Sequence, residues 1–278
     1  MKAQDPGTRT IPNVLSIAGS DPSGGAGIQA DIKAFSANGA YGMAALTALT
    51  AQNTQGVSGV HLVPPDFVAA QIDAVFADIR VDAVKIGMIA TAGIATAVAE
   101  TLARHAPPVV VVLDPVMVAK GGASLLAPDA VEALRTRLLP LATVVTPNLP
   151  ELAALLDQPE ATDRDAMAAQ AASLLARGPG AVLVKGGHLA AAASPDALVT
   201  AEGVVWLEGP RHETRNTHGT GCTLSAALAA LLARGLDLQT AARTAKDYVA
   251  GAIAASDRLD VGCGHGPTHH FHALWPDT

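Results

Sequence analysis

The chain holds 278 residues, half of them apolar and only 15% charged, a composition that excludes a disordered chain and can bury a large core. Its 25 acidic side chains against 18 basic ones leave a net charge of −7, which argues against nucleic acid as the main partner. No apolar run approaches the roughly 20 residues needed to cross a bilayer, no signal-peptide core is visible, and two cysteines make no disulfide framework, so a cytoplasmic protein is expected.

Residues 1–11 read as a loose leader and residues 12–278 as a single domain, because no repeat, low-complexity tract or long linker divides them. Short apolar runs at Val14–Ala18, Ala83–Ile86, Val109–Leu113, Thr143–Val145 and Ala181–Val184 predict buried strands. Helical patterns occupy Ala26–Ala37, Pro65–Ile79, Thr91–Arg104, Pro128–Leu138 and Asp163–Ala176. Ala197–Thr200 and Val204–Leu207 read as a hairpin at the late edge, and helices over Gly221–Arg234 and Leu238–Ser256 close the chain. The alternation predicts an α/β fold with a mostly parallel central sheet covered on both faces, and ligands at the carboxyl ends of its strands.

Five clusters fall just after predicted strands. Gly19-Ser-Asp-Pro-Ser-Gly-Gly-Ala-Gly27 is a glycine-rich turn that is neither a Walker loop nor a clean dinucleotide fingerprint. It is a capped turn, or a loop that wraps a small polar ligand with Asp31 one helical turn further in. Gln52 and Asn53 are amides suited to reading the edge of a heteroaromatic ring, and equally ordinary in a loop. Asp114 ends a buried strand, where a carboxylate is costly unless paired or beside a metal. Lys120-Gly-Gly beyond it reads as a basic loop on the phosphate side or as an exposed turn. Asn148 and Glu151 could be hard oxygen ligands for Mg²⁺ held partly through water, or a helix start with an acidic first turn. Lys185-Gly-Gly-His188 offers a cation that would reach phosphates.

The most informative stretch is Asn216–Cys222, followed by an Ala/Leu-rich helix. A glycine turn at Gly219 and Gly221 that opens a helix presents unpaired N–H groups to an anion. Cys222 sits inside that turn, as a reactive thiol or as a small hydrophobe. The His-rich tail at residues 265–272, with Cys263, matches no standard zinc spacing.

In this order, Ile17–Asp31, Ala51–Thr54, Lys85–Met88, Asp114–Met117, Thr146–Glu151, Lys185–His188, Asn216–Cys222 and Gly266–His272 resemble the ribokinase-like superfamily. More narrowly they resemble the hydroxymethylpyrimidine/phosphomethylpyrimidine kinases of thiamin synthesis, over roughly Ile11 to Trp275. The resemblance implies a three-layer α/β/α ribokinase-like fold, a homodimer, ATP as co-substrate and Mg²⁺ as metal. It implies phosphorylation of 4-amino-5-hydroxymethyl-2-methylpyrimidine and then of its monophosphate. On that footing Gln52 holds the pyrimidine edge, with Gly19, Asp31, Met88 and Val116 around the ring. Asp114, Asn148, Lys120 and Lys185 belong to the nucleotide side, and Glu151 with Asn148 organises the Mg²⁺ shell. Gly219, Thr220 and Gly221 form the anion hole, and Cys222 stands where sugar kinases carry an Asp base. A helix N-terminus lowers a thiol pKa, so a Cys222 thiolate could accept the hydroxyl proton, while a Cys near its free pKa would be a weaker assistant to a transfer that depends mostly on positioning and charge neutralisation. The rivals are a pyridoxal/pyridoxine kinase on the same fold and a non-catalytic heterocycle sensor. Cys222 and the Gln52 segment favour the pyrimidine, and the phosphate-side residues disfavour the sensor.

Overall fold

The structure, a computed structural model, describes residues 10–105, 109–117, 128–189 and 193–275. Ten strands follow in chain order: β1 (Asn13–Ala18), β2 (Tyr41–Leu46), β3 (Ala48–Asn53), β4 (Gly56–Leu62), β5 (Ala83–Ile86), β6 (Val110–Leu113), β7 (Val144–Val145), β8 (Val182–Val184), β9 (Asp196–Thr200) and β10 (Gly203–Leu207). Eight of them form one sheet in the order β10-β9-β8-β7-β6-β5-β1-β2. From β2 across to β8 every pair is parallel, and the hairpin β9–β10 closes one edge antiparallel to β8.

Side chains alternate across a strand, so each strand feeds two cores. Leu15, Ile17, Val84, Ile86, Leu113, Val145 and Val182 belong to a core with helices α2 (Pro65–Asp78), α3 (Ala92–Arg104), α4 (Pro128–Ala133), α5 (Leu149–Leu156) and α6 (Arg164–Leu175). Val14, Ala83, Val112, Val144 and Leu183 face the other way, onto α1 (Gly27–Ala37), α7 (Thr220–Ala233) and α8 (Leu238–Ala254). Helix α7 is apolar all round and buried from Thr223 to Leu231, as suits a helix wedged between a sheet and two other helices.

Three features depart from the sequence expectations. The helix expected over Pro128–Leu138 stops as α4 at Ala133, continues as a π turn over Leu134–Leu138 and ends in a 3₁₀ turn over Leu139–Leu141. Pro140 lacks the N–H that would prolong it. Strands β2, β3 and β4 were not anticipated. The ribbon β3–β4 forms its own two-stranded sheet, with a bulge between Ala51 and Gln52. Its residues are largely exposed, so no buried run marks it in the sequence. Of the expected leader only the last two residues lie within the described part, where Ile11 is exposed. Among the described residues no helix is long and apolar enough to cross a membrane.

The same alternation places five polar side chains on the α7 face: Ser16, Lys85, Asp114, Thr146 and Lys185, each two residues on from a core position of that face. Lys85 is wholly buried and bonds both carboxylate oxygens of Asp31 at 2.9 Å, while the Ser16 hydroxyl donates to Asp31 at 2.6 Å. Burial pulls Lys85 down, but the charges of Asp31 and Asp114 outweigh it and hold the ammonium above its ordinary value. Removing one member of such a pair strands the other in the core. Lys85→Met should therefore lower unfolding free energy by about 3–5 kcal/mol in urea titration. Lys85→Met with Asp31→Leu should recover much of that loss; a single variant as stable as the parent would show the pair to be unimportant.

Candidate active site

The site lies where α7 begins, over the carboxyl ends of β1, β5, β6, β7 and β8. Gly219 precedes α7 with φ +77°, a left-handed conformation that favours glycine. A Cβ there would also run into the backbone carbonyl of Gly25, so the turn Thr217–Gly221 rests on the loop after β1. Thr220 donates its hydroxyl to the Thr217 carbonyl at 2.7 Å, which tightens the turn. Within the turn Thr220 N–H reaches Thr217 C=O at 3.3 Å, and Thr223 N–H reaches Gly219 C=O at 2.8 Å. The helix end thus offers N–H groups and a partial positive charge to an anion.

Beneath that end the phosphate-side residues meet. Lys185 Nζ lies 3.0 Å from Asp114 Oδ1 and 3.6 Å from Glu151 Oε2. Gly221 is the neighbour of this group: a Cβ on it would stand 3.2 Å from Lys185 Nζ and 3.7 Å from Asp114 Oδ2. Asp114 also accepts from the Thr146 and Ser225 hydroxyls, each at 3.2 Å. One lysine between two buried carboxylates separates their behaviour. Burial raises Asp114, yet the charges of Lys185 and Lys85 more than reverse it and hold the group below the usual carboxylate range. Burial, reinforced by Asp114, pushes Glu151 up against the opposing pull of Lys185. Two buried carboxylates are the donor type that suits a hard metal ion, and the lysine between them is the charge that suits a phosphate.

Asn148 is committed elsewhere. Its side-chain oxygen accepts from Glu151 N–H at 2.8 Å, and Glu151 Oε2 accepts from Asn148 N–H at 2.8 Å. This is a capping box at the start of α5. The helix-start reading of the pair therefore holds, and it engages the Asn148 oxygen and Glu151 Oε2 alike. Lys120 lies outside the described residues.

On the ring side the loop after β1 brings Gly19 against Met88, so closely that a Cβ on Gly19 would strike the Met88 methyl. Gln52 projects from β3 on the same side as Thr50, the two sharing the half-buried face of the ribbon. Val116 follows β6 two residues beyond Asp114 and is half-buried. Asp31 corrects the sequence expectation. It is not a group around the ring but a wholly buried one, both oxygens held by Lys85 and Ser16.

Cys222 is a second correction. Burial, with the charges of Asp31 and Asp114 adding to it, outweighs the pull of Lys85 and pushes the thiol up to about 11. The helix terminus does not make it a thiolate.

His218, which the sequence reading passed over, lies beside Gln52 with Asp21 behind it. His218 is buried, with Nε2 2.7 Å from Asp21 Oδ2 and 3.4 Å from the Gln52 amide. Its place within the 216–222 turn was the available signal. The tail is structural: His270 Nε2 meets the Thr223 hydroxyl at 3.0 Å, and burial lowers its pKa to about 3, so the ring is neutral. His218 N–H donates to Gly266 C=O at 3.1 Å, which docks the tail on the turn.

A thiol titrating near 11 gives a direct test. Iodoacetamide labelling of Cys222, followed by peptide mass analysis, should accelerate with each pH step from 7 to 10 without levelling. A plateau below pH 8 would show a preformed thiolate.

Comparison with known proteins places the chain among vitamin kinases. A family model described as phosphomethylpyrimidine kinase matches residues 21–269. The hydroxymethylpyrimidine/phosphomethylpyrimidine kinase of Salmonella typhimurium is 58% identical over 95% of this chain and 98% of its own length. The crystal structure of a phosphomethylpyrimidine kinase from Clostridium difficile is 42% identical with a TM-score of 0.77, covering 87% of this chain and 99% of that one. A pyridoxal kinase from Bacillus subtilis, solved as an ADP complex, is 37% identical with a TM-score of 0.86, covering 95% of this chain and 99% of that one.

Proposed function

The chain belongs to the phosphomethylpyrimidine kinase family, and we propose how its site performs the two phosphoryl transfers. It is a hydroxymethylpyrimidine/phosphomethylpyrimidine kinase of thiamin biosynthesis, a phosphotransferase on a ribokinase-like fold. It phosphorylates the 5-hydroxymethyl group of 4-amino-5-hydroxymethyl-2-methylpyrimidine and then the resulting monophosphate. ATP is the co-substrate, in keeping with nucleotide-bound neighbours of the same fold.

The observation that carries the site assignment is the convergence of Lys185, Asp114 and Gly221 under the N-terminus of α7. Phosphoryl transfer depends on positioning and charge neutralisation more than on covalent chemistry. Lys185 neutralises the nucleotide phosphates, and the N–H groups at Gly219–Gly221 receive the transferred group. Gln52, with Gly19, Met88 and Val116, holds the ring so that the hydroxymethyl arm points at α7. Cys222 stays protonated and lines the acceptor side, so the alcohol is activated by alignment and by the charge around it.

Asp114 and Glu151 are too few for an all-protein metal cage, and no described group of three or more His, Cys, Asp or Glu could hold an ion. They suit Mg²⁺, which keeps most of its waters and binds substrate phosphates. Such an ion would neutralise charge on the transferred phosphoryl group. Two free thiols and dependence on ATP support the cytoplasm as the place of action.

ADP release with Mg-ATP should be rapid with hydroxymethylpyrimidine and with its monophosphate, much weaker with pyridoxine and absent with ribose. Pyridoxine turnover without activity on the monophosphate would move the chain to vitamin B6 salvage, and silence with tight binding would mean a sensor.

We also propose a homodimer built through the ribbon. A two-stranded ribbon is marginal by itself, and this one leaves Leu49, Val60 and Leu62 each nearly half exposed. A second copy would cover them. Light scattering should give twice 28.0 kDa, and Val60→Lys with Leu62→Glu should halve that mass; an unchanged mass would place the contact elsewhere.

A further inference from the structure

The Gln52 amide has two neighbours, and both constrain which way round it sits. On one side is His218, whose Nε2 lies 2.7 Å from Asp21 Oδ2. Asp21 also accepts from Ser23 N–H at 2.9 Å, the Ser23 hydroxyl at 2.6 Å and Ala26 N–H at 2.8 Å. Burial raises Asp21, but the bonds from His218 and Ser23 outweigh it and hold the group below its ordinary value, so it is ionised. An ionised carboxylate against a ring nitrogen requires the proton on that nitrogen. Nε2 is therefore a donor, and an amide NH₂ facing it at 3.4 Å would set donor against donor.

On the other side is Thr50. Its single hydroxyl proton goes to the Ser20 carbonyl at 2.9 Å. Toward Gln52 Oε1, 3.2 Å away, the hydroxyl can then only accept, so with the amide as placed acceptor faces acceptor here and donor faces donor at His218, and exchanging the two amide atoms relieves both. Amide oxygen and nitrogen are assigned from their partners, and both neighbours ask for the same orientation.

We infer that Asp21 and His218, with Thr50 opposite, lock the Gln52 amide with its oxygen toward His218 and its nitrogen toward Thr50, and so fix the donor–acceptor order that the substrate ring meets. His218 and Asp21 are positioning residues acting through Gln52. The inference rests on Gln52 being a ring contact. A 4-aminopyrimidine edge presents an amino donor beside a ring-nitrogen acceptor; the 4-oxo counterpart presents the reverse, a carbonyl acceptor beside a ring N–H. A locked amide matches one order and leaves buried polar atoms unpaired against the other. A free amide turns over and accepts both.

The test compares kcat/KM for 4-amino-5-hydroxymethyl-2-methylpyrimidine and its 4-oxo counterpart in the parent, His218→Ala, Gln52→Ala and the double variant. His218→Ala should cut the preference for the amino ring by about tenfold, through KM for the pyrimidine with KM for ATP unchanged. Gln52→Ala should remove the same preference, and adding His218→Ala should change nothing more. Asp21→Asn, which keeps the side chain's shape while taking away the charge that dictates the His218 proton, should give a smaller loss of the same kind. Independent, multiplying losses in the double variant, or an Asp21→Asn enzyme with full preference, would overturn the inference while leaving Gln52 as a ring contact. A Gln52→Ala enzyme with undiminished preference would overturn the ring contact and the inference together.

Discussion

Two lysines held beneath a helix terminus set the terms for everything around them. A cation inside a protein persists only beside an anion. Lys85 is answered by Asp31, and Lys185 by Asp114 and Glu151. The period-two alternation of five strands puts these groups on the sheet face that α7 covers, so the charges and the helix end are brought together by secondary structure rather than by loops. Lys85 and Asp31 satisfy each other and form the floor. Lys185 is shared between two carboxylates and keeps part of its surface toward the site. The floor pair also decides the state of Cys222: the Asp31 charge adds to burial, the Lys85 charge resists it, and the thiol stays neutral.

The second constraint is steric. Gly219 must be left-handed, and its Cα must lie directly on the Gly25 carbonyl. That contact joins the phosphate side to the ring side, because Gly25 belongs to the loop whose Gly19 packs on Met88. From the other direction the tail presses in: Gly266 receives His218 N–H, and His270 meets Thr223. The turn at 217–221 is therefore held on both flanks, so its N–H groups are fixed before an anion arrives.

Much of this was legible in the sequence for a physical reason. Parallel strands buried on both faces leave unbroken apolar runs, and Val14–Ala18, Ala83–Ile86 and Ala181–Val184 were found within a residue or so of their true ends. The glycine turn before an Ala/Leu helix announced itself in the same way. What was missed is what the neighbouring residues do not encode. The ribbon β3–β4 is only half-buried on one face of β3 and mostly exposed along β4, so it leaves no unbroken apolar run. Asp31 is placed near the ring by its position one helical turn beyond the glycine-rich loop and by the resemblance, whereas its partner Lys85 lies 54 residues away. For Cys222 the sequence shows the helix terminus but not the burial and the two carboxylates that push the thiol up. His218 stood beside the residues that were read, but its meaning depends on Asp21, which only the fold supplies.

Asp21 and His218 are 197 residues apart in sequence and 2.7 Å apart in space. The loop after β1 and the start of α7 come from opposite ends of the chain, and no local segment can assemble either half of the cleft alone. Closing so large a loop is entropically deferred until the intervening sheet has formed. Catalytic competence is thus a late event in folding. Collapsed intermediates with much of their helix and strand content in place would be inert, and recovery of turnover during refolding would trail recovery of secondary structure.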